Sequence, residues 1–251
     1  MKILSIDLDF ISAPAINEMY ATGFTQESDN LPDLDDQPVM KWRRLLEFNK
    51  EIFDKVQDQI DIDSYQFCFR TFLRALKHCD DVHFGYDHDN ILYGLEGHTD
   101  IEVVNIDHHS DILTNAYEHH TKEMHWVDTE NRVTEGNWGY WLQSQGRLKS
   151  FHWILNPTSE EHGDTKLGEM ILNNFTWSTK DDYDFGDYKF DQIYICLSPG
   201  YIPPLQWHMM GSFTAVYEEL TGKKINIDDL HRKYEYTKYY EGVSKAIRVV
   251  Y

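Results

Sequence analysis

Short apolar segments alternate along this chain with segments of helical periodicity, and this alternation constrains the fold more than any other feature. The clearest apolar segment is IEVVNIDHHSD (residues 101–111), which indicates a buried strand that ends in charged residues. Strands that alternate with helices favour a mostly parallel sheet, so we predict an α/β fold in a single domain, residues 1–251. Further strands are predicted at residues 3–12, 150–155 and 190–198, and residues 81–90 are predicted as a short strand that runs into a polar loop. Helices are predicted at residues 41–59, 69–78, 138–148, 166–174 and 203–220.

Charge and cysteine content argue against several classes of function. With 251 residues, 41% of them hydrophobic, the chain can bury a sizeable core. It has no apolar run long enough for a membrane span, and Asp7 and Asp9 interrupt the only leader-like segment, so we expect no signal peptide. The net charge of −20 argues against nucleic-acid binding and favours cationic substrates. The three cysteines contain no CxxC pair, which indicates reduced thiols in a cytoplasmic protein.

Two aspartates lie within the apolar segment ILSIDLDFIS, residues 3–12. Asp7 and Asp9 are separated by one residue, and in a strand such a pair points to the same side. Two carboxylates this close repel each other, and burial increases the free-energy cost of ionising both. The pair could form a turn or cap after the strand, or it could bind a cation.

Other predicted strands also end in acidic or imidazole groups. The segment NIDHHSD contains Asp107, His109 and Asp111 in a D-x-H-x-D pattern, and in an extended chain all three would face the same way. His88 lies in YDHDN, after another strand, although by itself it could be a loop histidine. Ligands bind at the carboxyl ends of the strands in open α/β sheets, so these groups are expected to converge.

This convergence predicts a metal centre. Four carboxylates at one point need cations, and two divalent ions bring the site near neutrality whereas one does not. Carboxylates with some imidazole suit Mn²⁺ better than a metal that prefers thiolates, so we predict two Mn²⁺ ions per chain. The six candidate ligands are Asp7, Asp9, His88, Asp107, His109 and Asp111.

These motifs resemble those of the ureohydrolase superfamily, the arginases and agmatinases, whose members have a binuclear manganese site. NIDHHSD is similar to the family's D-A-H-x-D motif, SIDLDFISAP to S-x-D-x-D-x-x-D-P, and YDHDN to G-G-D-H-S. Ser12 and Pro14 depart from the second motif, and Tyr86 and Asp87 replace the glycine pair of the third. The S-x-D-x-D motif comes first here, so the chain resembles a circularly permuted member.

That motif order and the segment LSPGYIPP resemble the peptide arginases of ribosomal peptide (RiPP) biosynthesis. The resemblance implies an arginase- or deacetylase-like three-layer α/β/α fold. It also implies conversion of arginine to ornithine in a precursor peptide, with release of urea. By motif, Asp7 and Asp107 would bridge both ions. The remaining ligands would divide into two pairs, His88 with Asp111 and His109 with Asp9.

The expected chemistry needs a nucleophile, a general acid and a carboxylate for the substrate. Two metal ions lower the pKa of a shared water, which supplies hydroxide near neutral pH, and Asp111 could hold its proton. The departing amine needs a general acid; the resemblance implies a histidine after D-x-H-x-D, and we predict His125, with His119 and His120 as alternatives. A carboxylate should receive the guanidinium, and the sequence does not distinguish between Glu27, Glu123 and Glu135.

Two other functions fit the same residues. A zinc deacetylase-like amidohydrolase acting on acylated amines would hold a single zinc with an Asp, His, Asp set. A non-catalytic metal- or peptide-binding module would release no urea. The long acidic stretch at residues 12–40 leaves the end of the first strand and could be a lid or a peptide-binding edge.

Overall fold

Within residues 1–21, 42, 45–112, 133, 136–159 and 163–225, which the computed structural model describes, six strands form one sheet in the order β2-β6-β1-β3-β4-β5. Every pairing is parallel, which confirms the predicted α/β class. The strands are β1 (Lys2–Asp7), β2 (Val82–Gly85), β3 (Ile101–Asp107), β4 (Leu148–Leu155), β5 (Phe175–Thr179) and β6 (Gln192–Cys196).

Helices follow most of the strands. Short 3₁₀ helices cover Leu8–Ile11, His88–Asn90 and Pro204–Gln206. The α-helices whose bounds lie within the described residues are α1 (Ala13–Ala21), α2 (Lys50–Gln57), α3 (Ile62–Ala75), α4 (Ile91–Gly94), α5 (Trp138–Ser144), α6 (Gly163–Ile171) and α7 (His208–Thr221).

The two faces of the sheet carry separate apolar cores. Leu4 and Ile6 of β1 belong to one core, together with Phe72 of α3. Ile3 points to the opposite face and belongs to the other core, together with Trp138 of α5. Because successive residues of a strand face opposite sides, a strand that is apolar throughout needs helices on both faces. This arrangement is consistent with the predicted three layers.

Two predicted strands end earlier than the sequence pattern indicated. β1 stops at Asp7, because the Asp7 carboxylate accepts the backbone N–H of Asp9 at 3.0 Å and caps the 3₁₀ helix Leu8–Ile11. β3 stops at Asp107, and the chain beyond it bends so that Asp111 has a φ of 56°. The prediction that each motif is extended was therefore wrong beyond its first aspartate.

The observed helix boundaries differ from the predicted ones where a polar side chain caps the start of a helix. The helix predicted at 41–59 is interrupted at Asn49, whose side chain accepts the N–H of Ile52 and starts α2. The helix predicted at 69–78 starts at residue 62 instead, because the side chain of Asp61 accepts the N–H of Ser64. The helix predicted at 203–220 is divided into a 3₁₀ turn and α7.

Besides α4 and the 3₁₀ helices after β1 and β2, two further elements were not predicted. Residues 13–21 form α1 inside the stretch interpreted as a long loop, with Pro14 near its start, where the missing N–H costs nothing. Residues 175–179 form β5 inside a segment interpreted as an acidic loop. β5 lies at the edge of the sheet, and Phe175 is its only buried residue, so it lacks the apolar pattern of a central strand.

Candidate metal centre

The candidate ligands lie at the carboxyl edge of the sheet, around its central strand. Asp7 ends β1 and Asp107 ends the neighbouring β3. His88 lies in the 3₁₀ turn after β2, which is separated from β1 by β6. The chain leaves β1 for β2 on one side and returns to β3 on the other. Ligand sites of open α/β sheets lie at such switch points.

The first group of possible ligands surrounds one imidazole nitrogen. Donor atoms of Asp7, His88 and Asp107 all lie within 4.8 Å of one another, and all three residues are buried. His88 Nδ1 lies 3.2 Å from Asp7 Oδ2 and 3.0 Å from Asp107 Oδ2. It also lies 2.7 Å from Oδ2 of Asp111. Three carboxylate oxygens thus crowd a single ring nitrogen.

The second group shares one member with the first. Donor atoms of Asp9, Asp107 and His109 also lie within 4.8 Å of one another. His109 Nδ1 lies 2.6 Å from Asp9 Oδ2, and the backbone N–H of His109 donates to Asp107 Oδ1 at 2.9 Å. Asp107 is therefore common to both groups. Asp7 belongs to the first group only, so the bridging role assigned to it stays a prediction.

Turns, and not strand alternation, bring the aspartates together. Asp9 reaches the site from the 3₁₀ helix, where its Oδ1 accepts the backbone N–H of His108 at 3.1 Å. Asp7 caps the same turn. The two interpretations of this pair, a cap after the strand and a cation site, are therefore compatible, because both involve the same two side chains. After β3, Asp107 and Asp111 turn toward His88, whereas His109 turns toward Asp9.

Helix α5 holds Asp111 at two points. The indole N–H of Trp138 donates to Asp111 Oδ2 at 2.6 Å, and the backbone N–H of Gly139 donates to the carbonyl of Asp111 at 3.0 Å. A Cβ on Gly139 would lie 2.8 Å from the ring of Phe151 and 3.1 Å from that carbonyl. Glycine at this position permits the close approach that fixes Asp111.

A layer of polar groups beneath the ligands orients them. Ser5 Oγ lies 2.6 Å from Nε2 of His88, which leaves Nδ1 facing the carboxylates. Asn105 donates to Asp107 Oδ2 at 3.0 Å, and Ser198 donates to Asp7 Oδ2. Groups that hold the far side of a ligand fix its tautomer and orientation in metal sites. Ser5 was detectable in the sequence as a polar residue on the same strand face as Asp7, whereas Ser198, far along the chain, was not.

The metal-free site concentrates negative charge in a buried place. Burial raises the pKa of Asp107 to about 7, with further raising by Asp111 and Asp7. Burial, and then the nearby Asp7 and Asp107, likewise raise the pKa of Asp9 well above its usual range. For His88, burial lowers the pKa, but the charge of Asp111 and the close approach of the carboxylates outweigh it and raise the pKa well above its usual value. The raised pKa values follow from burial and from the mutual repulsion of the neighbouring carboxylates, and a cation bound among them would relieve that repulsion.

These residues could hold a metal ion. His88 Nδ1 is buried and makes no well-formed hydrogen bond with any described residue, although three carboxylate oxygens lie within 3.2 Å. Buried polar atoms without partners are rare in folded proteins and call for an explanation such as an ion. The set of four carboxylates and two imidazoles is the hard, oxygen-rich chemistry that suits Mn²⁺.

The other predicted site residues cannot be compared with this geometry. His125, His119 and His120 lie outside the described residues, as do Glu27, Glu123 and Glu135. Of the remaining histidines, His83 is exposed and pairs with Asp81, and His152 bonds Thr176 and Ser178, as expected for residues without a role in the site. His125 therefore stays a prediction.

The fold and the site together define an α/β protein with a candidate metal centre at the carboxyl edge of a parallel sheet. The chain matches no protein-family model, no curated protein and no solved structure. Among the described residues, no helix is both long enough and apolar enough to cross a lipid bilayer. The functional argument therefore depends on the site and on the motifs.

Proposed function

We propose that this protein is a binuclear manganese hydrolase that converts arginine residues of a peptide to ornithine and releases urea. The observation that carries the proposal is the overlap of two possible ligand groups at Asp107. Paired metal ions that share ligands are a common arrangement for hydrolysis. The likeness of the three motifs to those of ureohydrolases supports a guanidinium group as the target.

The contacts support a division of the ligands between two ions. Asp107 contributes to both groups, as expected for a bridging carboxylate. The approach of Asp111 to His88 supports one pair of terminal ligands, and the approach of Asp9 to His109 supports the other. Four carboxylates would balance the charge of two divalent ions.

Each step of the proposed reaction has a candidate group on this chain. When bound, two such ions supply a hydroxide nucleophile at neutral pH. Trp138 engages Asp111 Oδ2, so we assign Oδ1 to hold the proton of the attacking water. We assign His125 to protonate the departing amine. Water is consumed, the bond between the guanidinium carbon and Nε breaks, and urea and ornithine form.

The proposed substrate is a ribosomally made precursor peptide and not free arginine. The motif order and the segment LSPGYIPP, which resemble the peptide arginases, support this choice. We propose the cytoplasm as the location, because Cys68, Cys79 and Cys196 are buried and free, as suits a reducing compartment.

The proposal is tested by incubating the Mn²⁺-loaded protein with an arginine-containing peptide and, separately, with free arginine. We expect urea and the mass change from arginine to ornithine on the peptide, and neither from free arginine. Asp9→Asn and His109→Ala should abolish the reaction, whereas His83→Ala, a change at an exposed histidine that pairs with Asp81, should not. Full activity in both ligand variants would refute the site assignment.

A single-zinc amidohydrolase is the second candidate, because Asp7, His88 and Asp107 form an Asp, His, Asp set by themselves. It predicts one zinc per chain and hydrolysis of an acyl-lysine peptide without release of urea. A non-catalytic binding module predicts no product from either peptide. Elemental analysis and the two peptides therefore separate the three functions.

A further inference from the structure

The ligands of the candidate metal centre differ in their access to solvent. The side chains of Asp7, Asp9, His88 and Asp107 are at most 3% exposed, and that of Asp111 is 6% exposed. The side chain of His109 is 16% exposed, which is the largest value of the six. His109 is therefore the ligand most open to solvent, and the residues around it are the first candidates for contact with a substrate.

An aromatic ring lies against His109. The ring of Tyr201 lies 4.4 Å from that of His109, tilted by 52°. Its loop is anchored to the site: the backbone N–H of Tyr201 donates to the carbonyl of Ser198, and the Ser198 hydroxyl donates to Asp7. Tyr201 is only partly buried, so part of its surface remains available to a substrate.

A carboxylate outside the ligand set lies close by. Ser110, which stands between His109 and Asp111 in the chain, donates its hydroxyl to Asp164 Oδ2 at 2.6 Å. Asp164 is in the first turn of α6 and is partly buried. Among the described residues, no lysine or arginine side chain lies within 4 Å of it. A partly buried carboxylate without a cationic partner is costly, and burial raises the pKa of Asp164.

We infer that Tyr201 and Asp164 form the subsite that selects a planar, positively charged side chain, that is, the guanidinium group of a peptidyl arginine. This inference rests on the proposed function and adds the residues that recognise the substrate. Guanidinium groups stack on aromatic faces and make paired hydrogen bonds with carboxylates. The two ions neutralise the four aspartate ligands, so Asp164 provides the negative charge that the substrate's cation needs. A neutral acyl-lysine amide gains nothing from this charge.

The test compares peptides that differ at one side chain. Metal-loaded protein is mixed with otherwise identical peptides that carry arginine, citrulline or lysine, and binding is followed by stopped-flow tryptophan fluorescence within the first turnover. Citrulline keeps the planar shape and loses the charge, and lysine keeps the charge and loses the plane. We expect the arginine peptide to bind about 10- to 100-fold more tightly than the citrulline peptide, as for a charge-assisted hydrogen bond.

Variants locate the origin of this preference. Asp164→Asn should bind arginine and citrulline peptides equally while it keeps its manganese content, and Asp164→Glu should restore part of the preference. Tyr201→Leu should weaken arginine binding about fivefold, as for the loss of a cation–π contact, and Tyr201→Phe should not. Asp187→Asn is the matched control, because Asp187 is an exposed carboxylate paired with Lys189. Tyr201→Leu keeps the inference open to refutation if Asp164→Asn does not fold.

An unchanged preference for arginine in Asp164→Asn would overturn the inference, as would unchanged arginine binding in Tyr201→Leu. Urea release combined with equal binding of arginine and citrulline peptides by the wild type would refute the subsite and leave the proposed function intact. Arginine preference that depends on Asp164, without any urea release, would refute the proposed reaction and leave the subsite.

Discussion

Asp107→Asn is expected to make the metal-free protein more stable at alkaline pH while it destroys the metal centre. Burial and the neighbouring carboxylates raise the pKa of Asp107 from 3.8 to about 7. Ionised Asp107 therefore costs about 4 kcal/mol above pH 7. Asparagine removes this cost but keeps one acceptor oxygen for the two donors that now bond Asp107, Asn105 Nδ2 and the N–H of His109. Loss of one such bond costs about 2 kcal/mol, so the net gain near pH 8 is about 2 kcal/mol.

The sign of the pH dependence follows from linkage. Between pH 3.8 and about 7 the folded protein binds more protons at Asp107 than the unfolded chain does, so stability falls as pH rises through this window. The difference in unfolding free energy between Asp107→Asn and the wild type should grow by about 2 kcal/mol between pH 5.5 and pH 8.

Urea denaturation of chelator-treated protein measures this difference, and the same titration with Mn²⁺ provides the contrast. Excess Mn²⁺ should stabilise the wild type by about 3 kcal/mol at a concentration 100-fold above Kd, and it should not stabilise the variant. The reasoning is refuted if metal-free Asp107→Asn is less stable than the wild type at pH 8 and the difference does not change with pH.

Three further changes have expected outcomes. Ser5→Ala removes the partner of His88 Nε2 and should weaken Mn²⁺ binding about 10- to 100-fold in a metal titration; unchanged affinity would contradict the role of Ser5. His152→Gln should make the free energy of unfolding depend less on pH below pH 6.5, because burial lowers the pKa of His152 to about 4. Stability is then lost as pH falls from 6.5 toward 4 in the wild type and less so in the variant; parallel curves would argue against this. Phe72→Ala should cost about 3–5 kcal/mol in urea denaturation, because Phe72 is fully buried; a loss under 1 kcal/mol would mean that the core collapses around the gap.

Much of the fold was predictable from the sequence, because its central strands are apolar throughout. β1 and β3 are buried on both faces, and this continuous apolar character is what parallel strands show. Edge strand β5 exposes most of its residues and resembles a loop in sequence. Helix α1 was missed because residues 12–40 were interpreted as one long acidic stretch, although Pro14 suits the first turn of a helix.

The six candidate ligands were also predictable, but the geometry that joins them was not. Strand alternation correctly suggested that Asp7 and Asp9 lie together, for the wrong reason, since a capped turn places them. The turn at Asp111 needs a positive φ, and its contact with Trp138 joins residues 27 apart in sequence. Ser198 reaches Asp7 from 191 residues away. Such contacts depend on the assembled sheet and leave no local pattern.

The central claim is that two metal ions share Asp107, and metal content per chain tests it most directly. Protein purified from Mn²⁺-supplemented cultures should contain two manganese ions per chain by elemental analysis, and Asp107→Asn should retain at most one. A wild-type protein that holds a single zinc ion, or that binds no manganese after reloading, would contradict the account.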